Sequence, residues 1–260
     1  MLFSPYIFAT DFEVIGASGK ACAGTFLHRP DVWTSFNHAA NMPTFGKFGI
    51  GFQAERKFSL SNFQSVAFAS IVPVKKQHFI GLGIYCFGDN AYSFSRLNFA
   101  YAKQIGLFAI GISTEALQWH VIETATIYRG IVNLGGKAIL LKDKLWVGTQ
   151  VLNLLQTQIS KTNNEVIPSL MCLGINYKHN SKINLLTEYQ LHTDHKSVPK
   201  LAVEYTPIPL FVLRMGISSF DLIYHAGIGI KAKKWTIDYA FISHPQLNHS
   251  QSIGVAFSPY

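Results

Sequence analysis

From about residue 46 onward the chain repeats one pattern: bulky apolar residues alternate with small or polar ones over roughly ten positions, then a turn cluster intervenes. A period of two is that of a β-strand, and alternating segments of this length suit strands that cross a bilayer. Leu97, Phe99 and Tyr101 alternate with Asn98, Ala100 and Ala102, and Phe108, Ile110 and Ile112 with Ala109, Gly111 and Ser113. Further on, Leu213, Met215 and Ile217 alternate with Arg214, Gly216 and Ser218. Trp235, Ile237, Tyr239 and Phe241 then alternate with Thr236, Asp238 and Ala240, and the last segment sets Ile253, Val255 and Phe257 against Ser252, Gly254 and Ala256. A soluble sheet buries its bulky face and turns Lys, Glu and Thr to water. Here the second face is largely Gly, Ala and Ser, which suits the crowded inside of a narrow barrel whose bulky face meets lipid.

Composition agrees. Only 14% of the 260 residues are charged, against roughly 25% in ordinary soluble domains. Hydrophobic residues reach 48%, with 20 Phe and 11 Tyr among them. A membrane-spanning helix needs about 20 consecutive apolar residues; the best run, Phe79 to Phe87, is far shorter and holds two glycines. Helical spans are therefore excluded, and a closed barrel remains, because only there does every backbone N–H and C=O find a partner without water. Turn signals at Gly88-Asp89-Asn90, Gln104-Ile105-Gly106, Lys142-Asp143, His179-Asn180, Pro207 to Pro209 and Ala232-Lys233 divide the chain. The expectation is an all-β, transmembrane antiparallel β-barrel of about 14 strands. Tyr92, Trp119, Tyr128, Trp146, Tyr177, Tyr224 and Trp235 fall near strand ends, where interfacial aromatic girdles are expected.

Residues 1–45 differ. Glu13 to Gly24 is rich in Gly and Ala, and Asp31 to Met42 lacks alternation. This segment reads as a short irregular or helical plug inside the lumen of a barrel built from residues 46–260. Met1 to Thr10 contains no Lys or Arg and is interrupted by Pro5, so it lacks the basic start of a signal peptide. The chain is accordingly expected to be a mature or truncated form of an exported protein.

The formal net charge is +8, with the basic residues scattered and pairs such as Lys75-Lys76 and Lys233-Lys234 at turns. No basic stripe is interleaved with aromatics, so nucleic acid is not an expected partner; basic turns beside an anionic lipid surface are. Cys22, Cys86 and Cys172 are odd in number and widely spaced, fitting neither a disulfide framework nor a zinc site, and read as buried small apolar residues. There is no nucleophile elbow, phosphate loop or H-E-x-x-H, so no enzyme, cofactor or metal is expected. His192, Asp194 and His195 share one loop at a spacing that could bind a metal, though histidines in a turn are the simpler reading.

The set Glu188, Glu204, Arg214 and Asp238 is charged and inward by strand parity. Glu204 lies between outward Val203 and Tyr205, and Gly227 and Gly229 leave room on the strand between Arg214 and Asp238. An unpaired charge in such an interior is costly, so Arg214 should be neutralised by Glu204, Asp238 or both, with Glu188 joining. The network reads either as a polar constriction or ligand contact, or as a structural ladder that fixes register and fills the lumen.

At these residues the chain resembles the PorV/PorQ group of FadL-like outer-membrane barrels, known from the Bacteroidetes type IX secretion system. The resemblance rests on Asn37-His38-Ala39-Ala40, on Phe87-Gly88-Asp89 through Tyr101-Ala102, and on Ile167-Pro168 with Leu173 to Tyr177. It continues through Val203-Glu204-Tyr205, Leu213 to Gly216, Ile237 to Ala240, His244-Pro245 and the strand Ser252 to Phe257. Two departures stand out. The family's Asn-Pro-Ala-Gly is here Asn37-His38-Ala39-Ala40, which puts its tight turn in doubt, and Phe257 is followed by Ser258-Pro259-Tyr260 rather than ending the barrel. The resemblance implies a non-enzymatic accessory of type IX secretion that binds cargo signal domains or other secretion components at the extracellular rim. The alternatives are a FadL-like passive conduit for hydrophobic small molecules and, from another class, a soluble all-β binding protein.

Overall fold

The computed structural model describes residues 12–27, 30–123, 126–142, 144–160, 165–193, 196–218 and 222–259. The strands are β1 Gly49–Arg56, β2 Gln64–Lys75, β3 His78–Gly88, β4 Tyr92–Ile105, β5 Phe108–Val121, β6 Ile127–Leu140, β7 Leu145–Leu152 and β8 Gln158–Ser160. They continue with β9 Glu165–Val166, β10 Leu170–Lys178, β11 Ile183–His192, β12 Val198–Ile208, β13 Phe211–Ser218, β14 Ile223–Ala232, β15 Trp235–Ser243 and β16 Ser250–Phe257. Fourteen of them form one closed antiparallel barrel; β8 and β9 form a separate two-stranded hairpin between β7 and β10. The barrel closes between its first and last strands, with Ile50 opposite Phe257 and Arg56 opposite Gln251. Closure leaves no unpaired edge, which is what a hydrocarbon environment demands. Among the described residues no helix is long and apolar enough to cross a membrane.

An even number of strands brings the start of β1 and the end of β16 to the same rim, called here the terminal rim. Six tight turns share it, among them β2–β3, β4–β5 and β14–β15. The opposite, loop rim carries the longer connections, the largest being residues 153–169 with the β8–β9 hairpin.

The side-chain parity is the one the alternation dictates. Phe99, Ile110, Leu213 and Tyr239 point outward and are 36–52% exposed, while Asn98, Ala100, Arg214 and Asp238 point inward and are buried. Four expectations need correcting. Tyr92 packs in the lumen against the cluster of Leu117, Trp119 and Ile131, not in a girdle. Trp119 is buried in the lumen against Phe94, not in a girdle, and Trp146 is also lumenal, with Lys137 lying 4.1 Å from its ring centroid. Cys86 is exposed on the outer face, whereas Cys22 and Cys172 are buried. Parity explains all four: each residue takes the face of its strand position, whatever its chemistry.

The described part of residues 12–45 fills the lumen. It contains three short helices, α1 Ala17–Ala21, α2 Thr34–Asn37 and α3 Met42–Phe45, with a 3-10 turn at Ala39–Asn41. Wall glycines give it room. A Cβ on Gly83 would overlap the Phe36 ring, and one on Gly111 would run into the Ala39–Ala40 backbone. On the far wall a Cβ would stand 2.6 Å from Ala23 N at Gly216 and 2.5 Å from Ala21 Cβ at Gly227. The small inward face therefore accommodates a folded segment of the same chain, not merely its own opposing wall.

Candidate lumen site

Above the plug, toward the loop rim, the lumen opens into a cavity of about 760 Å³. It is walled by the strands from β11 round to β1 and floored by Phe12 to Val14 and by Lys20, Ala23 and Gly24. On the other side of the mouth the β7–β10 connection folds inward: Ile159 and Ile167 pack with Leu117, Trp119 and Ile131 and close that half. The cavity thus exists on one side because a hairpin occupies the other.

Apolar side chains line much of it, including Phe12, Val14, Phe58, Ile223, Ile242 and Leu247. Its charges are largely paired with each other. Lys20 Nζ lies 2.5 Å from Glu55 Oε1 and 3.4 Å from Glu13, and Lys57 Nζ lies 2.6 Å from Glu13. Ser65 donates to the second Glu55 oxygen at 3.1 Å. Burial by itself would raise the Glu13 carboxyl, but the ammonium groups of Lys57 and Lys20 more than reverse this and bring it down to about 2. This cluster ties the segment before α1 and α1 itself to β1 and the β1–β2 loop. His225 donates from Nδ1 to Lys20 O at 2.8 Å and its Nε2 meets Ser218 Oγ at 3.2 Å, binding the same helix to β13 and β14.

Beneath α1 lies the Arg214 cluster. Arg214 donates from Nε to Glu204 Oε2 at 2.9 Å and from Nη1 to Asp238 Oδ1 at 2.6 Å. Glu204 faces Arg214 directly across β12–β13, and Asp238 reaches it over Gly229, where a Cβ would stand 2.5 Å from Asp238 Oδ1. Gly229 makes room for the charges, as the sequence implied; Gly227 makes room for the plug instead. Glu188 does not join this cluster. It accepts from Leu27 N at 3.0 Å and from Gln190 Nε2 at 2.7 Å. The reason is register: Glu204 pairs with Asn184, four positions from Glu188 along β11, which is about 13 Å of strand. Glu188 holds the plug and leaves Arg214 to two carboxylates.

The Asn37–Ala40 segment ends α2 and starts the 3-10 turn. Asn37 clasps Ile15 from both sides, accepting from its N–H at 2.9 Å and donating to its carbonyl at 2.6 Å. His38 Nε2 meets Thr149 O on β7 at 3.1 Å, and Ala39 and Ala40 lie on Gly111. These residues close the plug on itself and seat it on the wall.

Sequence reasoning missed the Lys20–Glu55–Glu13–Lys57 cluster and a second buried set. In the latter, Arg96 Nε donates to Glu115 at 2.7 Å, and Asn133 donates to the same carboxylate at 2.8 Å. Strand parity could have flagged Glu55, Arg96 and Glu115, all at inward positions; nothing local marks Lys20. Among the described residues no group of three or more His, Cys, Asp and Glu could hold a metal ion. Asp194 and His195 of the histidine loop lie outside the described residues.

No protein-family profile matches the chain, and no curated protein sequence matches it. Solved structures do. The chain is similar in fold to the CymD monoaromatic hydrocarbon channel at 12% identity, over 94% of this chain and 97% of that one, with a TM-score of 0.72. It is also similar to the Pseudomonas putida toluene transporter TodX, at 11% identity over 96% and 99% of the two chains, with a TM-score of 0.69. At these identities the likeness is one of fold: a closed fourteen-strand antiparallel barrel.

Proposed function

We propose that the protein spans a bacterial outer membrane and acts as a FadL-like passive conduit for hydrophobic small molecules, without chemistry of its own. The observation that carries this reading is the cavity of about 760 Å³ at the loop rim, whose wall is rich in apolar side chains and whose lysine and glutamate charges largely pair with each other. Its volume falls within the roughly 300–1,000 Å³ of small-molecule sites. Support comes also from the fold shared, along nearly the whole chain, with proteins described as a hydrocarbon channel and a toluene transporter. The plug and the Arg214 cluster lie between the cavity and the terminal rim, so in this reading the described state is closed and the cluster is a polar constriction. The likeness favours the conduit over the type IX secretion accessory.

Uptake of labelled toluene by cells carrying an intact outer membrane tests it. Cells producing the protein should accumulate toluene faster than cells lacking it. Ile242→Trp, which fills the cavity from β15, should lower the gain at least about threefold, since overpacking a formed site removes the space a ligand needs. Equal uptake with and without the protein would sink the conduit reading; impaired protein secretion on deleting the gene, with uptake unchanged, would favour the accessory.

A further inference from the structure

The lysines excluded from nucleic-acid binding have a placement that sequence order conceals. The β2–β3 turn carries Lys75 and Lys76, and the β10–β11 turn carries Lys178 and Lys182. The β6–β7 turn adds Lys142 and Lys144, and the β14–β15 turn adds Lys233 and Lys234. All eight are exposed, and strand pairing puts all four turns on the terminal rim. Among the described residues no Asp or Glu falls on that rim's turns. Among the described residues the connections of the loop rim hold Asp89, Glu123 and Glu165 beside Lys57 and Lys196. Basic charge is concentrated at the terminal rim.

We propose that the terminal rim is a docking ring for the phosphate headgroups of anionic glycerophospholipids in the leaflet surrounding it. Apolar side chains on the same rim select lipid over an acidic protein. Leu107, Phe108, Leu141 and Trp235 are 53–65% exposed at the rim, Leu141 and Trp235 next in sequence to Lys142 and Lys234. A partner in water would leave these tips facing solvent. At the boundary of hydrocarbon and headgroups they sink into the bilayer while the lysine stems reach back to phosphate. A tryptophan at this level is what an interfacial anchor requires. The plain alternative is that the lysines only solvate the turns; it predicts no preference among lipids. The inference depends on the membrane placement but not on transport.

Native mass spectrometry of the full chain in detergent micelles, with phosphatidylglycerol and phosphatidylcholine of identical acyl chains, tests it. Each lysine near an anionic surface contributes about fivefold in binding. The wild type should therefore retain phosphatidylglycerol over phosphatidylcholine by at least about tenfold. Replacing Lys75, Lys76, Lys233 and Lys234 by Gln should cut the preference to about twofold or less, while the four Arg replacements keep it. Heat-modifiable migration checks that each variant is folded. Equal retention of the two lipids by the wild type, or an unchanged preference in the Gln variant, overturns the ring. So does loss of the preference on adding inorganic phosphate, which would make it a general anion site. A chain that stays monodisperse without detergent would overturn the membrane placement itself, a distinguishable failure.

Discussion

At the scale of single residues, Arg214 shows how burial turns charge into structure. It is nearly inaccessible, as is Glu204, and each carboxylate near it is tolerated because the guanidinium is present. Removing one member of such a set leaves the others uncompensated, whereas removing the whole set removes the penalty. Arg214→Met should thus destabilise the barrel by about 3–5 kcal/mol. The triple change Arg214→Met, Glu204→Gln and Asp238→Asn should recover most of that loss. The midpoint of the heat-induced shift between folded and unfolded bands measures both; a single variant as stable as wild type would refute the pairing argument. Arg214, Glu204 and Asp238 were legible because alternation assigns each to the inner face. Glu188 has the same parity, yet its partner is Leu27, since position along the strand depends on register that alternation leaves open.

At the scale of elements, the plug is held by contacts of a different kind from those in the wall. Strands pair through their backbones; the plug is seated by glycine-backed packing, by Asn37 on Ile15, by Glu188 on Leu27 and by the Glu13 latch. The latch has a pH signature. The Glu13 carboxyl titrates at about 2, below its ordinary 4.5, so the folded form binds its proton more weakly than the unfolded form. Its stabilisation is complete above 4.5 and is lost as pH falls from there through about 2. Planar-bilayer recordings should show rare openings between pH 7 and 4.5 that become frequent on further acidification. Glu13→Gln should open frequently even at neutral pH. Identical records from the two proteins would remove Glu13 from the holding of the plug.

At the scale of the molecule, the outer surface decides the environment. A belt in which Phe52, Leu97, Ile110, Leu201 and Met215 are 52–71% exposed cannot remain in water without association. The membrane placement predicts that the protein sediments with outer membranes and migrates faster on gels when unheated than when boiled. Recovery from the soluble fraction as a monomer would contradict it. The ends of the barrel differ as well: the terminal rim is basic and tightly turned, and the loop rim holds the cavity mouth and the inward hairpin.

The period-two pattern, with the turn clusters that divide it, was enough to expect an antiparallel barrel of about 14 strands, as observed, and to assign which face each strand residue takes. These are local properties: a pleated strand alternates its side chains whatever lies beyond it. Only the tertiary structure decided that Phe36 fills the space above Gly83, that the β8–β9 hairpin closes half the mouth, and that Lys20 meets Glu55 across 35 positions of sequence. Those contacts depend on the register with which β1 meets β16 and on how an irregular segment settles inside the closed wall, neither of which has a repeating trace in the residue order.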